Sequence, residues 1–348
     1  MNSKERLNAA IRRQPVDRTP THFRSEPETL EKIYRRIGCR DYDRLLDYLD
    51  ADIRHIDAIY PPIIENNGVF QNCWGERHVF KDSEFGPVRE LIDGALKDAE
   101  SLDEIKNFNW PTVEDLDYSH IGEYCRRHAQ RGITYALADF WQRPSNIRGL
   151  QNFLTDLVWH PEYCQFLANY FTEFYVEDFR RAYAASNQQI DMFLVYTDLG
   201  TQIAPLVSMN TFREFVKPYI KRLADTVHEL GASFFYHSCG MVFPFIEDFI
   251  DAGVDVLDPI QPCSPLMQPE NLQKHFGGRL CFHGGANVQG VLGSGTPEDV
   301  RNEIRRYEKA FGNRGFIISS THYLQMDASV ENIFAIFDKT VDGFAQEG

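Results

Sequence analysis

The chain has 348 residues, a length that fits either two average domains or one large α/β barrel. Its formal net charge of −15 argues against a nucleic-acid surface, which needs a basic face, and disfavours polyanionic ligands unless arginines gather locally. Hydrophobic residues make up 43% of the chain. No apolar run reaches the roughly 18 residues of a membrane-spanning helix, so we expect no membrane insertion.

The amino-terminal segment MNSKERLNAAIRRQPVDRTP is charged and lacks the apolar centre of a secretory signal, which predicts a cytoplasmic protein. The seven cysteines are odd in number and scattered, so they predict no disulfide framework. A reducing compartment keeps thiols free, which leaves Cys239 available as a metal ligand. The oligomeric state stays open, and a homodimer is compatible with the sequence.

The first third of the chain predicts helices, two strands and an irregular stretch. A helix that Ser3 can cap precedes a short strand at Thr21–Phe23, and two further helices lead to a second strand at Asp52–Tyr60. Residues 61–117 have poor periodicity and recurrent Gly and Pro. We interpret them as an excursion, a candidate lid, in which NCWGERHVF and ELIDGAL form a hairpin.

The rest of the chain alternates helices with buried strands. The predicted helices are Ser145–Trp159, Pro161–Ala185, Ser208–Leu230, Val242–Ala252, 296–311 and 329–344. The predicted strands are Ile133–Phe140, Asp191–Asp198, the strand in Ser233–Gly240, Val254–Ile260, Arg279–His283 and Gly315–Thr321. Eight strands, nearly all separated by helices, predict an α/β fold: a single (β/α)8 TIM-like barrel over 1–348 with an insertion after strand two.

The stretch Ser233–Gly240, SFFYHSCG, runs from a buried strand directly into His237 and Cys239. Side chains two residues apart at the carboxyl end of a strand face the same ligand crevice. An imidazole and a thiolate are half of a zinc site. Taken in isolation, an H-x-C favours the alternative of a buried cysteine beside a hydrogen-bonded histidine.

Every predicted strand ends in polar residues that a barrel would bring to one rim. From these ends we predict catalytic residues Asp198, Gln202 and His322, and substrate-binding residues Arg24, Asp57, Asp139, Gln261, His283 and Asn287. With His237 and Cys239, His322 would also give zinc three ligands and an open fourth position. The alternative for each single residue is a helix cap or a solvated loop group. The sequence contains none of the phosphate-loop, dinucleotide, zincin or hydrolase-elbow motifs.

Five segments together resemble the uroporphyrinogen decarboxylase superfamily over nearly the whole chain. They are RRQPVDRTP, DLGTQIAPLVSMNTFREFVKPY, YHSCGMVFPFIEDFIDAGVDVLDPIQP, FGGRLCFHGGANVQGVLGSGTPEDVRNEI and STHYLQMDASVENIFA. The resemblance implies a TIM-like barrel with its cleft at the carboxyl ends of the strands. True decarboxylases of the superfamily follow PVDRTP with an arginine-rich MRQAGR segment that grips substrate carboxylates. This chain has THFRSEPETL there and retains Arg24 alone, so it is more similar to the zinc and corrinoid methyltransferase branch.

The zinc methyltransferases of that superfamily are similar to this chain at H-x-C, where the His and the Cys bind zinc with a further Cys from the last strand. Here the last-strand position is His322. The resemblance implies zinc on His237, Cys239 and His322, and a corrinoid carried by a partner protein. The implied function is methyl transfer between a small methylated or methoxylated compound, as in O-demethylation, and that corrinoid protein or a thiol. The alternatives are decarboxylation of a uroporphyrinogen-like substrate and a non-catalytic barrel that binds a corrinoid or small molecule.

Overall fold

The computed structural model describes residues 1–83 and 86–346. Their strands are β1 (Ile53–Ile56), β2 (Ile64–Asn66), β3 (Val69–Gln71), β4 (Glu76–Ser83), β5 (Gly86–Gly94), β6 (Gly132–Ala138), β7 (Met192–Tyr196), β8 (Ser233–His237), β9 (Val256–Ile260), β10 (Cys281–Ala286) and β11 (Phe316–Ser320). Their helices are α1 (Ser3–Ile11), α2 (Pro27–Ile37), α3 (Tyr42–Tyr48), α4 (Leu102–Lys106), α5 (Ile121–Arg127), α6 (Gln142–Arg148), α7 (Leu150–Trp159), α8 (Pro161–Ala185), α9 (Met209–Phe215), α10 (Lys217–Glu229), α11 (Ile246–Ala252), α12 (Pro269–Phe276), α13 (Val291–Ser294), α14 (Pro297–Phe311), α15 (Val330–Ala335) and α16 (Val341–Gln346). Within these ranges, no helix combines the length and the apolar character needed to cross a bilayer.

Seven strands form one parallel sheet in the order β1-β6-β7-β8-β9-β10-β11, which curls into a TIM-like barrel. Apolar side chains of six of these strands form one buried cluster with two residues of α1: Leu7, Ile11, Ile53, Met192, Leu194, Phe235, Val256, Cys281 and Ile317. Since inward-facing residues of a small barrel pack in layers, α1 closes the amino-terminal end and the strands' carboxyl ends remain open for a site. The structure confirms the predicted TIM-like α/β fold.

The predicted first strand, Thr21–Phe23, is wrong as a regular strand. The segment pairs only through isolated parallel bridges, Thr21 with Ile318 and Ser25 with Leu324. The Asp52 N–H donates to the Thr21 carbonyl over 2.9 Å, so the segment lies between β11 and the start of β1. Pro20 removes one donor from the pairing edge, which helps explain the incomplete ladder.

Two helices predicted as continuous are interrupted in the structure. Ser145–Trp159 is split between α6 and α7 at Gly149, whose φ of 82° lies outside the helical region. Ser208–Leu230 is split between α9 and α10 at Val216, two residues before Pro218, because proline cannot donate to the preceding turn. The predicted Pro161–Ala185 is confirmed as α8.

The excursion at 61–117 contains a separate antiparallel sheet of β2, β3, β4 and β5. β4 and β5 pair from Glu76 with Gly94 onward, which confirms the predicted hairpin. The buried Glu76 carboxylate ties this sheet to α6: it accepts from Arg143 Nη1 at 3.1 Å and from Asn146 Nδ2 at 2.8 Å. A role of the excursion as a lid stays a prediction.

Candidate metal centre

The carboxyl ends of β7 and β8 bring Asp198, His237 and Cys239 together. One ligand atom from each, a carboxylate oxygen, an imidazole nitrogen and a thiol sulfur, lies within 4.8 Å of the others. His237 Nε2 is 3.3 Å from Cys239 Sγ and 3.6 Å from Asp198 Oδ1. In the described part of the chain, this is the one group of three or more Cys, His, Asp or Glu side chains close enough to share an ion.

The orientation of His237 is set from below by Asp258. The His237 Nδ1–H donates to Asp258 Oδ2, which leaves Nε2 facing Cys239. Asp258 is fully buried and also accepts both Nη groups of Arg24, each at 2.8 Å, and His283 Nδ1 at 2.6 Å. Burial alone would raise the pKa of Asp258, but Arg24 and the two histidines hold it well below its usual value. Burial alone would lower the pKa of His237, but Asp258 raises it to about 10.

Asp198 is held by hydrogen bonds from two directions. Its Oδ1 accepts the Cys239 backbone N–H at 3.0 Å, and its Oδ2 accepts Gln142 Nε2 at 2.9 Å. Gln142 is in turn positioned by Asp139, whose carboxylate accepts the backbone N–H groups of residues 141–143. Burial raises the pKa of Asp139 to about 6. Asp139 therefore fixes the start of α6. Gln142 is a functional candidate that the sequence analysis missed, and its only signal in the sequence is its place three residues after Asp139.

The loops after β7 and β8 touch through their backbones at Gly200 and Gly240. A Cβ on Gly200 would lie 2.6 Å from the Cys239 carbonyl oxygen, and a Cβ on Gly240 would lie 2.6 Å from the Gly200 oxygen. Gly240 also has a φ of 85°, which favours glycine. Only glycine fits at these two positions, and its absence of a side chain lets the loops that carry Asp198 and Cys239 pack backbone against backbone.

A cavity of about 240 Å³ opens beside Cys239. Its other lining residues are Gly200, Thr201, Gln202, Gly240, Gln261, Val288, Gln289, His322 and Gln325. Gln261 braces the loop of Cys239, because its Oε1 accepts the Gly240 N–H at 2.6 Å. A larger cleft of about 790 Å³ lies along α2 and contains none of the three candidate donors. The small cavity is therefore the candidate substrate site.

His322 lines this cavity but does not join the close group of donors. Its ring centre lies 6.3 Å from that of His237, and the third side chain of the close group is Asp198. Burial, reinforced by the charge of His237, lowers the pKa of His322, which favours a neutral imidazole. Its Nδ1 lies 3.4 Å from the Tyr323 carbonyl oxygen, which favours the tautomer with a free Nε2.

The remaining predicted substrate-binding residues are dispersed. Arg24 is 4% exposed with both Nη groups on Asp258, and the fully buried His283 contacts Asp258 and His22, so both lie beneath the centre. Asp57 lies after β1 and accepts from His55 Nε2 at 2.8 Å. Asn287 caps a turn by accepting the N–H of residue 289.

Comparisons with known proteins agree with this architecture. A family model described as "Uroporphyrinogen decarboxylase (URO-D)" matches residues 141–342. The "Methylcobamide:CoM methyltransferase MtbA" of Methanosarcina mazei is 22% identical over 316 residues, which cover 85% of this chain and 86% of that protein. A solved "methyltransferase from Methanosarcina mazei" shares the fold with a TM-score of 0.73 at 13% identity, covering 100% of this chain and 99% of its own. A B12-independent methionine synthase from Shewanella sp. W3-18-1 has a TM-score of 0.51 at 12% identity, over 96% and 98% of the two chains.

Proposed function

The chain belongs to the uroporphyrinogen decarboxylase family, and on that basis we propose that it is a zinc-dependent methyltransferase. It moves a methyl group between a small methylated or methoxylated compound and a thiol or a corrinoid carried by a partner protein, in the cytoplasm. The name of its Methanosarcina mazei relative, a methylcobamide:CoM methyltransferase, supports this reaction class. The observation that carries the proposal is the group of Asp198, His237 and Cys239 at the edge of a cavity.

The donor set fits zinc. Catalytic zinc sites combine three protein ligands of nitrogen, sulfur or oxygen with one open position. A zinc-binding histidine typically donates its other N–H to a carboxylate, which is the arrangement of His237 and Asp258. When bound, zinc supplies a Lewis acid that lowers the pKa of a thiol or polarises an ether oxygen. As zinc ligands, Asp198 and Cys239 would bind deprotonated and would together offset the two positive charges of the ion.

The chain's own residues then orient the substrate and move its proton. His322 Nε2, on the cavity wall, accepts the proton of an entering thiol or returns a proton to a departing alkoxide. The exposed Gln202 amide orients the polar part of the substrate. Asp258 keeps the His237 Nδ1 proton in place throughout, because Arg24 holds the carboxylate ionised.

Decarboxylation of a uroporphyrinogen-like substrate is less well supported. Such a substrate needs several cationic partners to offset the desolvation of its carboxylates. Arg24, the arginine retained at the position of the decarboxylase segment, is 4% exposed and already paired with Asp258. We therefore expect no turnover of uroporphyrinogen and no rescue of a strain that lacks the decarboxylase.

Metal content tests the proposal. Protein purified without chelator should contain about one zinc per chain, because three preformed donors match a catalytic site. Cys239→Ser and His237→Ala should lose most of the zinc, while the fold persists on its large core. The matched control is Cys39→Ser, which changes a half-buried thiol that follows α2. Protein that carries no metal and takes up none on zinc addition would refute the proposal.

Activity separates catalysis from mere binding. Zinc-loaded protein should transfer the methyl group of methylcobalamin to a small thiol, followed as loss of the methyl–cobalt absorbance. Cys239→Ser should lower this rate by about 100-fold or more if the centre performs the chemistry. A protein that retains zinc and transfers no methyl group to any thiol would favour the non-catalytic barrel.

A further inference from the structure

We propose that the cavity beside Cys239 selects small, uncharged polar substrates. This inference rests on the proposed methyltransferase function and names the substrate class of the same site. It excludes molecules whose short chain ends in a carboxylate, a sulfonate or an ammonium group.

The lining of the cavity is rich in amides and poor in charge. Four of its ten residues are glutamines, namely Gln202, Gln261, Gln289 and Gln325. Among the described residues that line it there is no Asp, Glu, Lys or Arg. The remaining titratable groups are Cys239, proposed as a zinc ligand, and the single imidazole of His322. A charged ligand therefore meets no counter-charge on these walls.

Several of the amides have unused hydrogen-bonding capacity. Gln261 is engaged on both sides, by the Gly240 N–H at 2.6 Å and by Gln289 Oε1 at 3.2 Å, which leaves Gln289 Nε2 free. Within the described chain, the side chains of Gln202 and Gln325 make no hydrogen bond. A primary amide offers two donors and one acceptor, which match a hydroxyl, ether, carbonyl or amide group. The walls thus present both hydrogen-bond donors and hydrogen-bond acceptors to a neutral polar ligand.

The carboxylates behind the walls already have hydrogen-bond partners. Asp198 is engaged by the Cys239 N–H and by Gln142, and Asp258 is paired with Arg24 and His283. Transfer of an unpaired charge out of water costs more than transfer of a hydrogen-bonded neutral group. A neutral end group should therefore be favoured over either sign of charge.

The volume limits the length of the selected molecule. About 240 Å³ is below the 300 to 1,000 Å³ range of drug-sized pockets. Beyond Gln325 the surface changes character, because a neighbouring cleft of about 570 Å³ is lined by charged residues that include Glu26, Arg89 and Asp327. A long ligand would reach those charges, so the test requires short probes.

Three methyl thioethers with the same two-carbon chain provide the test: 2-(methylthio)ethanol, 2-(methylthio)ethanesulfonate and 2-(methylthio)ethylamine. Calorimetric titration at fixed ionic strength should show the alcohol binding about 10-fold or more tighter than the sulfonate and the ammonium compound. Gln325→Arg should shift the ratio toward the sulfonate by about 10-fold, because it places a cation on the wall. The control Gln151→Arg, on the exposed face of α7, should leave the ratio unchanged. Binding of either charged compound as tightly as the alcohol, or no binding of the alcohol at millimolar concentration, overturns the inference.

Titration of the zinc-loaded and the metal-free protein separates the two proposals, because a thioether can enter the cavity without a metal. Preference of zinc-loaded protein for the sulfonate overturns the substrate class and leaves the methyltransferase intact. Preference for the alcohol in a protein that takes up no zinc supports the selectivity of the cavity and refutes the zinc chemistry.

Discussion

Asp258 lies beneath the candidate metal centre and pairs with the buried Arg24 guanidinium and with two histidines. Two Nη groups of Arg24 and the Nδ1 atoms of His237 and His283 converge on its two oxygens. An isolated carboxylate at this depth would cost several kcal/mol, and removal of one partner from a buried pair typically costs about 3 to 5 kcal/mol. His237 is therefore held in one orientation by the charge balance of the barrel interior as well as by its own packing.

Asp178 of α8 gives a prediction about pH. The hydroxyls of Tyr118 and Tyr135 donate to its Oδ1 at 2.8 and 2.7 Å, and burial raises its pKa from 3.8 to about 7. The folded protein therefore keeps a proton that the unfolded chain has lost, and its stability should fall as pH rises toward 7. The slope is about 1.4 kcal/mol per pH unit for one proton. Urea unfolding at several pH values between about 5 and 7 should show that the free energy of unfolding falls with pH more steeply in the wild type than in Asp178→Asn, by about this slope. The same slope in both proteins would contradict the assignment.

The sequence alone predicts some residues of the candidate centre, but it does not predict the long-range contacts that position them. His237 and Cys239 follow from strand periodicity and spacing, and Asp198 follows from its place at a strand end. The pairing of Arg24 with Asp258 joins residues 234 positions apart and exists only once the barrel has curled. We predicted His322 as the third ligand, whereas the third side chain of the close group is Asp198. Position at a strand end does not specify which rim groups approach one another.

At the scale of elements, α6 links Asp198 to the rest of the molecule, and Gln142 at its first turn provides the contact. Gln142→Ala removes the donor to Asp198 Oδ2 and should weaken zinc binding by about 10-fold, the lower end of the usual effect of outer-shell partners. Competition with a chromophoric chelator measures this change. The matched control is Gln151→Ala, an exposed glutamine on α7, which should leave zinc affinity unchanged. Equal affinities in the Gln142 variant and the wild type would show that Asp198 needs no such support.

Element prediction from the sequence succeeded where local and long-range preferences agree. Pro at the first turn and an apolar stripe define α8 with its correct bounds, and aromatic runs define β8. It failed where the apolar pattern continues across a local break, as at Gly149 and Val216. It also failed at Thr21–Phe23, where short apolar character is present but regular pairing is not.

At the scale of the whole molecule, the antiparallel sheet is anchored to the barrel through Glu76. Glu76→Ala leaves Arg143 without its ion-pair partner, so the sheet should detach more readily and proteolysis within 61–117 should accelerate by about 10-fold. Mass spectrometry of timed digests locates and quantifies the cuts. Glu65→Ala, an exposed change on β2 of the same sheet, is the control. Unchanged cleavage in the Glu76 variant, or equal acceleration in the control, would show that the anchor lies elsewhere.

The backbone contact of Gly200 with Gly240 determines when the proposed metal centre is assembled. The carboxylate and the thiol stand on two loops that pack backbone against backbone, so folding itself brings them to this spacing. The conformational entropy lost in bringing the ligands together is thus part of the free energy of folding and does not reduce the free energy of metal binding. Metal capture at such a centre needs no folding step, in contrast to small zinc domains that are disordered without their ion. If zinc binds here as proposed, its removal and return should leave the architecture intact.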